Sequence, residues 1–187
     1  MPYILSAAIF LIQTAFGLFI GLFLLRFLLI AVGVPFHEPI CQFVYRLTNP
    51  LIAPLRRFVP RWRKFELAAL LIAWLLVLLE SMLLEVLFGR MRFFGLLAPA
   101  LVSTLDWIIW IELGAILIYC VLSFFPSMRY EDGYRLLDRF VAPVVNPFRR
   151  WLPPVGGFDF SCWFASVALI LTRLLVIAPL ADLAARL

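Results

Sequence analysis

Residues 46–66 read RLTNPLIAPLRRFVPRWRKFE, and residues 139–159 read RFVAPVVNPFRRWLPPVGGFD. A shift of 93 positions lays Arg46 on Arg139, Pro50 on Pro143, Pro54 on Pro147 and Arg56-Arg57 on Arg149-Arg150. It also lays Pro60 on Pro153, Phe65 on Phe158 and Glu66 on the like-charged Asp159. The identities fall on prolines, paired arginines and an acid just ahead of a long apolar run, and no gap is needed. The chain is read as an internal duplication, with repeats over residues 1–92 and 93–187, so each feature can be checked against a second copy.

Around these segments the chain is 65% hydrophobic and 14% charged. That excludes an ordinary soluble domain. A bilayer core about 30 Å thick needs roughly 20 apolar residues per helical span, and such runs cover residues 4–25, 66–88, 107–125 and 160–180. The first run lacks a basic flank and a small-residue cleavage site, so it reads as a retained span. A net charge of +5 would suggest nucleic acid in a soluble chain. Here the basic residues collect beside the spans, as topology requires. Cys41, Cys120 and Cys162 stand apart and His37 is the only histidine, so neither a disulfide frame, a metal site nor a cofactor is expected.

Between the spans of each repeat, the sequence predicts a short surface helix followed by a proline-broken segment. Pro39 fits the first position of such a helix, on which Ile40, Phe43, Val44 and Leu47 share an apolar face. Leu136, Leu137 and Phe140 repeat the pattern. A helix of this kind lies in the interface plane. Pro50 and Pro54 each lack an amide hydrogen and disfavour the α region before them, so the expectation is that the helix ends there and irregular chain continues to Pro60. Residues 93–102 are expected to form a half-buried connector.

Basic residues crowd loops one and three, placing both in the cytoplasm and both termini outside. The fold class is therefore all-α: four transmembrane helices in two parallel-oriented tandem repeats. Arg26, at the end of the first span, is expected to snorkel to the headgroups.

Charges within the spans carry the functional argument. The same shift lays Glu80 on Arg173, at equal depth, and an unpaired charge there costs about 2.5–3.5 kcal/mol. The expectation is that Glu80 and Arg173 pair across the repeat interface and that Glu112 joins them. Two readings compete: an ion pair locking the repeats, or a proton or cation path through Glu80, Glu112 and Arg173. For the paired arginines there are three: attraction to anionic lipid, docking of a partner, or a bidentate bond from one arginine of each pair to Glu66 or Asp159. Lipid attraction alone would not require the same proline spacing twice, which favours the bidentate bond with lipid attraction added.

The doubled NPLIAPLRRFVP and APVVNPFRRWLP, with Gly156 to Ser161 reading GGFDFS, resemble the YggT family of bacterial and plastid membrane proteins. The likeness covers nearly the whole chain. The first copy departs at Arg63-Lys64, where the second has Gly156-Gly157. The resemblance implies links to osmotic stress tolerance and ion balance in bacteria. In plastids and the wider family it implies links to division, nucleoid distribution and cytochrome assembly. It supplies no catalytic residues. No catalytic constellation appears in the sequence either, and the expectation is a non-enzymatic inner-membrane scaffold or assembly factor. Its partners would be anionic lipids, a membrane protein or further copies of itself, with nucleic acid not among them. The alternative is a small oligomeric ion transporter using the intramembrane acids.

Overall fold

A computed structural model describes residues 2–34, 38–56, 65–89, 94–125, 131–151 and 160–186. The expectations for His37, Arg57, Pro60, Pro153, Gly156-Gly157 and Asp159 fall outside them. Four helices are long and apolar enough to cross a membrane: Tyr3–Val32, Leu67–Leu87, Leu97–Ser123 and Ser161–Arg186. The elements in order are α1 (Pro2–Val32), α2 (Pro39–Leu55), α3 (Leu67–Leu87), a 3-10 turn (Phe94–Leu96), α4 (Leu97–Ser123) and α5 (Asp132–Arg149). The last span comprises α6 (Ser161–Thr172), a π-helical stretch (Arg173–Ile177) and α7 (Ala178–Arg186).

Three boundaries differ from the sequence reading, each for a local reason. Nothing after Leu25 breaks α1 until Gly33, whose φ of 76° supplies the left-handed residue that closes a helix. The Val34 amide donates back to the Leu29 carbonyl at 3.1 Å, completing that closure. Arg26 therefore lies within the helix. Residues 97–102, expected in a connector, are the first turns of α4. Pro99 is tolerated there because first-turn amides have no intrahelical acceptor.

The third difference concerns the prolines. Pro50 and Pro54 lie inside α2, and Pro143 and Pro147 inside α5, so the helix continues through both pairs. Each pair is spaced four apart on an exposed face. The carbonyls that lose an amide partner therefore face the surroundings and not the core. α2 buries Cys41, Val44, Thr48 and Ile52. The expected single apolar face is split, because Ile40, Phe43 and Leu47 are at least half exposed.

α1 is the hub: it packs on α2, α3, α4 and α5, and α4 in turn packs on α3, α5, α6 and α7. One core gathers Ile20, Phe23 and Leu24 of α1 against Ala69, Ala73 and Val77 of α3. The other joins Leu28 and Leu29 of α1 to Ile116, Phe140 and Val145 of the second half. Ala68, Ala69 and Ala73 are at most 2% exposed, and such small side chains let helix backbones approach closely where lipid tails compete with packing. No contact joins α3 to α6 among the described residues.

Enlarging Ala69 to Leu at this seam is expected to destabilise the folded protein by about 1–3 kcal/mol. Leu71→Ala, on the exposed side of the same helix, should cost less. Unfolding in mixed micelles compares the two.

Candidate functional site: a buried arginine clamp and its second copy

Where the end of α1, the length of α2 and the start of α3 meet, the chain buries a charged cluster. Arg26 is 0% exposed and Glu66 1%. Arg26 donates from Nε to Glu66 Oε2 at 2.8 Å and from Nη2 to Oε1 at 3.2 Å, a bidentate pair. Its Nη1 donates to Thr48 Oγ1 at 2.6 Å, and the Thr48 hydroxyl in turn donates to the Val44 carbonyl at 2.6 Å. The Tyr45 ring lies 4.2 Å from the guanidinium. Arg56 adds a second guanidinium, with Nε and Nη2 donating to Glu66 Oε1 at 3.0 and 2.5 Å.

Burial pushes the Glu66 carboxyl up, but hydrogen bonds and charge from Arg26 and Arg56 outweigh it and hold the group below its ordinary value. Arg26 does not snorkel, because α1 carries it into the protein and α3 brings an acid to meet it. The sequence signal was the apolar run of residues 27–32 that continues past Arg26 to Gly33, which places Arg26 inside the helix. Thr48 and Tyr45 carried no comparable signal.

The second repeat keeps the location and changes the residues. At the 93-residue shift, Arg26 becomes Tyr119, Tyr45 becomes Asp138 and Arg56 becomes Arg149. Arg149 Nη2 donates to Tyr119 Oη at 2.5 Å and to Asp138 Oδ1 at 3.1 Å. Tyr134 Oη lies 3.0 Å from Tyr119 Oη. In this copy the cation sits on α5 and a phenol takes its place on α4. Pro50, Pro54, Pro143 and Pro147 touch neither cluster through side-chain polar groups, since they have none. Arg150 is exposed beside the second cluster.

The expected pairing of Glu80 with Arg173 is not what the structure holds. Arg173 instead donates to Asp106, with Nε to Oδ1 at 2.6 Å and Nη2 to Oδ2 at 3.2 Å. It also lies 4.6 Å from the centre of the Trp110 ring. The reason is packing: α6 and α7 rest on α4, not on α3, so the nearest acid is on α4. The shift lays Asp106 on Gln13 and Arg173 on Glu80. Glu112 joins no ion pair among the described residues. It is 8% exposed, and its Oε2 has no hydrogen-bond partner among the described residues. No group of three or more potential metal ligands occurs among those residues.

Removing the acid would leave Arg26 buried and unpaired. Glu66→Gln is expected to cost about 3 kcal/mol or more, and Arg56→Gln, on a side chain 43% exposed, about 1 kcal/mol or less. The folded carboxyl titrates below its unfolded value of about 4.3. Its stabilisation is therefore fully present above about pH 4.3 and is lost as pH falls through the depressed folded value. Unfolding midpoints of wild type and Glu66→Gln against pH should converge in that acid range.

The CCB3/YggT family model matches residues 5–87 and again residues 98–180. An uncharacterized protein of Pseudomonas aeruginosa is 35% identical over 182 residues, covering 94% of this chain and 91% of that protein. The YggT proteins of Escherichia coli, also uncharacterized, are 32% identical over 157 residues, 81% of this chain and 79% of theirs. A Vibrio alginolyticus protein from the proC 3′ region is 32% identical over 162 residues, 81% of this chain and 83% of that protein. No solved structure matches the chain. With both halves matched by one family model and relatives above 30% identity over most of its length, the chain belongs to the CCB3/YggT family.

Proposed function

We propose that this is a non-enzymatic scaffold or assembly factor of the bacterial inner membrane, acting in osmotic tolerance by holding lipids or a membrane partner. The carrying observation is how the charges within the spans are used. Arg26 is bound by Glu66 inside the fold, and Arg173 by Asp106. Glu112 is enclosed with no ionic partner among the described residues. A conduction path needs polar groups that succeed one another across the membrane, whereas Arg26 and Arg173 are each held in an ion pair and Glu112 stands apart from both. The last span offers the opposite kind of surface: 11% of its most apolar window is buried by the chain itself, against 33% for the first span. That leaves most of its face to lipid or to another protein.

In this reading the basic Pro-Arg helices lie on the cytoplasmic leaflet and both termini lie outside. The second reading, a small oligomeric transporter, is favoured by one observation, the enclosed Glu112 carboxyl. Proteoliposomes containing the purified chain decide between them. Potassium and proton flux should not exceed that of empty vesicles. Flux above that level that disappears in Glu112→Gln or Glu80→Gln would overturn the scaffold.

A further inference from the structure

Arg139, Pro143, Asn146, Pro147 and Arg150 recur at helical spacing along one stripe of α5. With Val32 they line an open groove of about 510 Å3. Val32 is the last residue of α1. The groove is therefore level with the end of a spanning helix, the depth at which a bilayer presents phosphates and not acyl chains.

Among the described residues, two acids of α5 are engaged elsewhere. Asp132 faces Arg135 at 3.9 Å, and Asp138 accepts from Arg149 at 3.1 Å. Arg139 and Arg150 are exposed and join no ion pair among the described residues. Asn146 accepts from Arg149 through Oδ1 at 3.2 Å, so its amide hydrogens remain to donate. Pro143 and Pro147 cannot donate to the carbonyls of Arg139 and Pro143, which leaves acceptors beside the cations.

We infer that this groove binds the headgroup of an anionic phospholipid. Arg139, Arg150 and the Asn146 amide meet the phosphate, and the released carbonyls meet headgroup hydroxyls. The division of labour between the paired arginines follows. Arg149 serves the fold through Tyr119 and Asp138, and Arg150 serves the lipid. The spacing Arg-x3-Pro-x3-Pro-x2-Arg of residues 139, 143, 147 and 150 recurs at 46, 50, 54 and 57. In the first repeat Gln42, Tyr45, Arg46 and Asn49 line a second open cleft of about 400 Å3. A purely structural role for the prolines would not require an arginine at both ends of that spacing twice.

This site rests on the scaffold reading and names its lipid. Lipid binding by the full chain in neutral detergent is measured by native mass spectrometry and by the thermal midpoint. The additions are phosphatidylglycerol, phosphatidylcholine or free glycerol phosphate. Phosphatidylglycerol should bind and raise the midpoint, phosphatidylcholine and glycerol phosphate should not. Arg139→Gln and Arg150→Gln should each weaken binding about fivefold. Arg186→Gln, which removes the same charge from the exposed end of α7, should leave it unchanged, and Arg150→Lys should retain most of it. Equal binding of both lipids would overturn the site, as would full binding by Arg139→Gln/Arg150→Gln with native helicity. A matching shift from glycerol phosphate would assign the groove to a soluble anion and overturn the lipid. Loss of lipid selectivity without ion flux would remove this site and leave the scaffold, whereas flux with intact lipid selectivity would do the reverse.

Discussion

A guanidinium with no exposed surface, on a helix apolar enough to span a bilayer, must be met by an acid or it will not stay charged and folded. Arg26 is met by Glu66, and that requirement orders the first repeat. The acid stands at the start of α3 and the arginine near the end of α1, so the two helices are fixed in register at one end. Thr48 and Tyr45 bring α2 into the same bond network, which ties it to α1 and α3. Desolvation makes such a pair a poor source of net stability and a strong source of specificity, because any alternative arrangement strands a charge.

Duplication preserved the position of this cluster and let its chemistry drift. Tyr119 puts a phenol at the place of a buried cation, and Arg149 answers it from α5. The second repeat thus needs no buried cation at this position of its first span. A second couple deeper in the spans diverged differently: Asp106 with Arg173 in one repeat stands against Gln13 with Glu80 in the other. The two halves share a scaffold while distributing charge unequally, and their packing is unequal as well. α1 reaches into both cores, α4 touches both halves of the chain, and α3 and α6 remain apart.

Much of the helical architecture was legible in the sequence because hydropathy and the doubled motif act locally. The four apolar runs and the correspondence of the repeats needed no tertiary information. The proline rule failed at Pro50, Pro54, Pro143 and Pro147 because a helix with one face exposed can leave unpaired carbonyls to its surroundings. Arg26 was misplaced because its span was ended at a charge and not at Gly33. The partner of Arg173 was missed because equal depth does not imply adjacency: which helices touch is decided by side-chain packing between elements, and no periodicity within one element reports it. The bond from Arg56 to Glu66, in contrast, joins residues ten apart beside a helix start, a separation over which sequence spacing does constrain geometry.

The central claim is that Arg26 and Glu66 act as one unit in fixing α1, α2 and α3. A double-mutant cycle on Arg26→Met and Glu66→Met, read from reversible unfolding in mixed micelles, tests it most directly. The account predicts that each single change is severe and that the double change costs well below their sum, with a coupling on the order of 2 kcal/mol or more. Additive costs, or single changes without effect on stability, would contradict it.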